Sequence, residues 1–140
     1  MKPKTRVLIA DDHSVVRMGL ASLLGTAKNV EVVGEATDGA DAVRKALRLR
    51  PDVVVMDLVM PRKDGVAATE ELLASAPETK ILVLTTFAAS DDIARALKAG
   101  AAGAILKSST NRELLSAVLS VAAGSRTEAA SIAQRKNLLK

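Results

Sequence analysis

Six residues of this 140-residue chain are of a type and spacing that could do ionic chemistry. Asp11 and Asp12 follow the apolar run "RVLIA", Asp57 closes "VVVMD", Thr85 and Thr86 close "KILVLTT", and Lys107 follows "GAIL". Each has an ordinary explanation alone: adjacent acids cap helices, an aspartate ends a strand in a turn, threonine is a common strand residue, and lysine decorates surfaces. The carboxylate at the end of four apolar residues is the odd one. Burying it unpaired costs several kcal/mol or drives it to hold a proton. If the six converge, three carboxylates repel one another unless a cation holds them. Oxygen donors at a wet rim suit Mg²⁺, with Mn²⁺ as a substitute. An ammonium opposite would offset the excess charge and could receive an arriving anion.

The elements around these residues alternate. Strand-like apolar runs occupy 6–10, 30–36, 52–57, 80–86 and 103–106. Between and after them, apolar residues recur at helical spacing: Val16, Leu20, Leu23, Leu24; Ala40, Val43, Leu47; Val66, Thr69, Leu72, Leu73; Ile93, Ala96, Leu97; Leu114, Leu115, Val118, Ala122. Ser14, Asp38, Ser90 and Thr110 can cap helix starts, and Gly25 and Gly100 can end helices. Five strands alternating with five helices predict a doubly wound α/β fold, a parallel sheet covered on both faces. Strands apolar at every position are what such a sheet requires. Ligands of open α/β sheets bind beyond the carboxyl ends of the strands, which is where all six residues stand. Pro61 and Gly65 predict a sharp return of the chain after Asp57.

Composition narrows the classes. The absence of Cys excludes disulfides and thiolate metal sites, and one Phe with no Trp or Tyr is poor equipment for stacking on nucleic-acid bases. Residues 1–123 carry 16 basic against 15 acidic side chains, so the net charge of +4 arises mostly in 124–140. That tail reads as a solvated end. No stretch resembles a secretion signal or membrane span, so a soluble cytoplasmic protein is expected. A dinucleotide enzyme needs a glycine-rich turn that "IADDHS" lacks.

Taken in order, "IADDH", "VVVMDLVMPRKDG", "LTT" and "ILK" resemble the receiver domain of two-component response regulators over residues 5–123. "ADDHSVVRMGL", "VVGEATDGADAV" and "LTTF" are most similar to the transcriptional branch with a LuxR-type helix-turn-helix (NarL/FixJ-like). The resemblance implies a flavodoxin-like fold with strand order 2-1-3-4-5. It implies Asp57 as phosphoacceptor, and Mg²⁺ held by Asp12, partly indirectly by Asp11, by Asp57 and by the backbone carbonyl of Val59. Thr85 and Lys107 would each bind a phosphoryl oxygen. The expected partners are a sensor histidine kinase and, on phosphorylation, a second copy of the chain through residues 90–123. DNA would be reached only through an effector domain that this chain does not contain, and membranes not at all. Such a domain is not an enzyme on outside substrates, although it promotes its own phosphoryl transfer and dephosphorylation. An aspartyl phosphatase has a second Asp two residues after its nucleophile, where this chain has Val59. The alternative is a receiver that docks partners without phosphorylation.

The organisation expected is a receiver domain over 1–123, with 124–140 a basic tail or the start of a linker. Two departures from the family stand out. Ser108 follows Lys107 where many receivers have Pro. Ala104 stands three residues before Lys107, where the family usually carries an aromatic switch residue. Coupling is therefore expected to run through Thr85, Thr86 and residues 87–91, more weakly than usual. His13 reads as a surface or capping residue without chemistry. Asp52 and Asp64 read as turn residues, and Met18, Met56 and Met60 as packing.

Overall fold

The structure is a computed structural model and describes residues 3–86 and 91–124. Phe87, Ser90, most of the 87–91 segment and residues 125–140 of the tail, all named above, lie outside the described residues. Strands β1 (Thr5–Ala10), β2 (Val30–Ala36), β3 (Val53–Asp57), β4 (Lys80–Thr85) and β5 (Gly103–Leu106) alternate with α1 (Ser14–Gly25), α2 (Gly39–Leu49), α3 (Gly65–Ser75), α4 (Asp91–Ala99) and α5 (Asn111–Ala122). The sheet is parallel, in the order β2-β1-β3-β4-β5. This is the doubly wound fold with the topology that the resemblance implied. Right-handed crossovers from a sheet in this order send α1 and α5 to one face and α2, α3 and α4 to the other. The packing agrees: α1 meets α5, α2 meets α3, and α3 meets α4.

The centre of the sheet has no polar face. Val53 to Met56 and Ile81 to Leu84 are buried at every position, as sandwiching between two helical layers demands. Helix faces follow the sequence pattern with local corrections. In α2 the buried set is Gly39, Asp41, Ala42, Val43 and Ala46, while Ala40 faces outward. Alanine fits either face, so periodicity alone could not place it. Met56 and Met60 pack inside as expected, but Met18 is 67% exposed and packs no core.

Boundaries were set by local hydrogen bonding. Asp38 accepts from the Asp41 N–H, Asp64 from the Ala67 N–H, and Thr110 forms a capping box with Glu113. At α1 the expectation fails: Ser14 is the first helical residue, and His13 takes the cap position with no side-chain cap. Gly100 leaves α4 with φ of +114°, a conformation glycine adopts freely. Arg50 ends α2 with φ of +52°, which the sequence did not signal.

Candidate functional site

Register brings the carboxylates together. Ala10 pairs with Met56, so the next residues, Asp11 and Asp57, emerge side by side at the carboxyl edge of β1 and β3. Asp57 pairs with Leu84, which places Thr85 one step further along the neighbouring strand. Thr85 in turn accepts at its carbonyl from the Lys107 N–H at 2.8 Å. The six residues named from sequence thus stand on one rim of the sheet, although Thr86 is exposed and Thr85 buried.

The loop after Asp57 explains how a charged strand end is tolerated. It folds back so that the Gly65 N–H donates to the Leu58 carbonyl at 3.0 Å. A Cβ on Gly65 would lie 2.4 Å from the Asp57 carbonyl oxygen, so only glycine permits this closure. The outer side of the same loop is held by α2. Arg62, with φ of +66°, donates to Asp38 at 2.8 Å, and a Cβ on Gly39 would meet the Lys63 carbonyl at 2.0 Å. The Asp41 N–H first, and Arg62 next, hold the Asp38 carboxyl below its usual value. Arg17 fixes the other wall: it donates to the Asp11 carbonyl at 2.8 Å and to Glu35 at 3.0 Å. Arg17, Glu35, Asp38 and Arg62 were not singled out for the site from sequence. Only their charge could have flagged them, and charge does not reveal pairing across 18 or 24 positions.

Inside the rim, Lys107 lies between two acids. Its Nζ donates to Asp57 Oδ2 at 3.1 Å and is 3.1 Å from Asp11 Oδ2. Asp57 Oδ1 accepts from the Val59 N–H at 3.2 Å. Burial pushes the Asp57 carboxyl above its ordinary value and the Asp11 charge adds to that, with the Lys107 hydrogen bond opposing. Burial alone would lower the Lys107 ammonium, but its contacts with Asp57 and Asp11 outweigh that and hold it above its ordinary value. Asp11 is fully buried, and its Oδ2 makes no hydrogen bond despite the nearby ammonium. Asp12 is half-exposed at the mouth, its Oδ1 3.1 Å from His13 Nδ1. Donor atoms of Asp11, Asp12, His13 and Asp57 lie within 4.8 Å of one another. A buried oxygen lacking a hydrogen bond, next to further carboxylates, fits a hard divalent cation.

The carboxylates on this rim set up a first expected result. Asp12→Ala should weaken Mg²⁺ binding at least about tenfold, yet leave metal-free thermal stability unchanged or raised, because it removes one of three like charges. Calorimetric titration and a melting curve measure the two. A clearly less stable metal-free variant would make Asp12 a hydrogen-bonding residue instead.

A five-stranded sheet in this order, with acids and a lysine on its carboxyl rim, is the architecture of a signalling receiver. The response regulator receiver domain profile matches residues 7–119, and the chain belongs to that family. Several of its relatives lie in the transcriptional branch. It is 44% identical over 119 residues to the transcriptional regulatory protein LiaR of Bacillus subtilis, covering 85% of this chain and 56% of that protein. Among solved structures, the receiver domain of the response regulator NarL from Mycobacterium tuberculosis superposes with a TM-score of 0.84 at 36% identity, covering 88% of this chain and 99% of that one. A LuxR-family two-component response regulator from Aurantimonas sp. SI85-9A1 gives 0.89 at 34% identity, covering 98% and 99%. The chain spans about half the length of the curated relatives it matches, 56% of LiaR.

Proposed function

We propose that the domain is a phosphorylation-dependent switch in which Asp57 accepts a phosphoryl group from a sensor histidine kinase. The observation that carries this is the Asp11–Lys107–Asp57 cluster: a nucleophilic carboxylate held between a cation and the place for another. One oxygen of Asp57 attacks phosphorus, and the bond from phosphorus to the donor nitrogen or oxygen breaks with its electrons on the leaving group. The product is an acyl phosphate. Both reactants are anions, so the protein contributes positioning and charge neutralisation. The Val59 N–H orients Asp57 by holding Oδ1. Lys107, already charged and beside Asp57, moves its hydrogen bond to a phosphoryl oxygen, and Thr85 donates to another. Asp11, Asp12, Asp57 and the Val59 carbonyl would hold Mg²⁺, which supplies electrostatic stabilisation of the transferring group. Among the described residues no helix is long and apolar enough to cross a membrane, which is compatible with a cytoplasmic regulator. The receiver unit is 1–123, and 124–140 is a tail or the start of a linker to a DNA-binding effector.

Incubation with Mg²⁺ and acetyl phosphate tests the reading. One base-labile phosphoryl group should appear by mass spectrometry, and a chain that stays unlabelled is a docking module instead.

The output is a change in self-association through residues 90–123, and Ala104 sets its size. Ala104 is completely buried and pairs with Val83 across the β4–β5 ladder. A residue without a ring cannot add apolar burial to the active state, a contribution of about 1.5–3 kcal/mol for a large side chain. Dimer dissociation constants with and without beryllofluoride, a phosphoryl mimic, should therefore differ modestly for the wild type. The ratio should be larger for Ala104→Tyr, which itself risks about 1–3 kcal/mol of overpacking in the resting state. Identical ratios would remove position 104 from the switch.

A further inference from the structure

The residues of the rim lie at or just beyond the ends of β1, β3, β4 and β5, and β2 supplies none of them. The connection from β2 to α2 nevertheless holds both loops that carry the acids. On one side, the Asp11 N–H donates to the Ala36 carbonyl at 3.0 Å, and the Asp11 carbonyl accepts from Arg17 at 2.8 Å. Arg17 is fixed in turn by Glu35, which accepts from its Nε at 3.0 Å, and only 16% of the Arg17 side chain is exposed. On the other side, the two oxygens of Asp38 have separate tasks. Oδ1 accepts from the Asp41 N–H at 2.8 Å and caps α2, while Oδ2 accepts at 2.8 Å from Arg62, in the loop after Asp57. Beside it, Gly39 lies so close to that loop that a Cβ would meet the Lys63 carbonyl oxygen at 2.0 Å. The pairing of β1 with β3 ends at Ala10 and Met56, one residue short of the two acids.

We propose that Glu35 and Asp38 are positioning residues for phosphoryl transfer, the two ends of a frame that sets the spacing between the Asp11–Asp12 turn and the loop carrying Val59. This rests on the proposed function and adds to it two residues that lie outside the ionic rim. Two acids and an incoming anion repel one another, so the loops that carry them move apart unless something beyond the rim holds them. Misplacement of a reacting group by about 1 Å can cost on the order of 100-fold in rate. Folding gains little from these bonds, because Arg62 is 71% exposed and Glu35 45%, and ion pairs so open to water are weak. What they fix is direction. Arg17 presents Nε to Glu35 and a second nitrogen to the Asp11 carbonyl from one rigid plane, so the carboxylate orients the carbonyl.

The experiment measures phosphorylation by acetyl phosphate, Mg²⁺ affinity by calorimetry, and amide exchange at Val59 and Gly65, whose N–H groups bond within the Asp57 loop. Asp38→Asn keeps an oxygen to cap α2 but turns an NH₂ group toward Arg62, so it removes the brace and spares the cap. It should melt within about 3 °C of the wild type, yet take up phosphoryl groups about fivefold more slowly and lose protection at both amides. Adding Arg62→Gln to Asp38→Asn should slow the reaction no further, because both remove the same bond. Glu35→Ala should weaken Mg²⁺ binding about fivefold, whereas Glu35→Gln, which keeps an acceptor for Arg17, should stay within about twofold of the wild type. Equal loss in Glu35→Ala and Glu35→Gln would reduce the effect to missing charge and overturn the proposal, as would unchanged rates and exchange in Asp38→Asn. If the wild type takes up no phosphoryl group, the phosphorylation reading falls, and amide exchange decides whether the frame holds the loop.

Discussion

Asp57→Asn is expected to take up no phosphoryl group from acetyl phosphate and to be more stable than the wild type without metal at neutral pH. Loss of labelling follows because the amide keeps the shape of the side chain but not its nucleophilic oxygen. The stability gain follows from the charges on the rim. Lys107 is shared by Asp11 and Asp57 at 3.1 Å each, so removing one carboxylate charge leaves a balanced Asp11–Lys107 pair. The sign of the pH dependence agrees. Burial raises the Asp57 carboxyl in the folded state, so its favourable contribution is fully present below the unfolded value and is lost as pH rises through the folded one. The metal-free wild type should therefore gain stability relative to Asp57→Asn as pH falls from neutral through that raised value. Parallel melting curves at several pH values, followed by circular dichroism because the chain has no Trp, measure this. A stability difference independent of pH would mean that Asp57 is not held above its ordinary value. Equal labelling of the variant would remove it as the phosphoacceptor.

Gly65→Ala should be among the most damaging single substitutions outside the ionic residues. The added Cβ would meet the Asp57 carbonyl oxygen at 2.4 Å and the Leu58 Cα at 2.8 Å, both main-chain atoms that cannot rotate away. Overpacking typically costs about 1–3 kcal/mol, and a backbone clash belongs at the upper end. Against a total stability of about 5–15 kcal/mol, the domain should still fold but with a clearly lower urea midpoint. Phosphorylation should fall as well, because the loop that moves carries Val59 and begins at Asp57. An unchanged midpoint would show that the loop can open without cost and does not depend on glycine.

The sheet and its rim were readable from the chain because their causes are local. Two strands, 30–36 and 103–106, lie where the apolar runs ended, and the others differ by a residue at an end. Asp38 and Thr110 cap their helices because a side chain three residues from the N–H that donates to it needs no knowledge of the fold. The acids and Lys107 share an edge for a topological reason: each ends or follows a strand of a parallel sheet. What escaped was set by distant pairing. Arg17 with Glu35, and Arg62 with Asp38, brace the two loops across the sheet edge, and no periodicity announces them. His13 was read as a surface or capping residue, and it stands exposed at the cap position of α1, although its side chain caps nothing. Met18 reads as a packing residue because methionine is usually packed, and its exposure has no sequence signature.

Lys107 follows the edge strand β5, yet its ammonium reaches past β4 to carboxylates of β3 and β1. It is therefore the resting partner of both ionic groups that incoming ions must engage. In the proposed switch, a divalent cation settling on Asp11 and Asp57 would repel the ammonium and free it for an anion. An anion that draws Lys107 away uncovers Asp11 Oδ2 and Asp57 Oδ2 for a cation. Under the proposed function, binding of the two would be positively cooperative, and thermodynamic reciprocity would require each to raise the affinity of the other by the same factor. Through one long side chain, the proposed site would act as a coincidence detector, responding weakly to either ion and strongly to both.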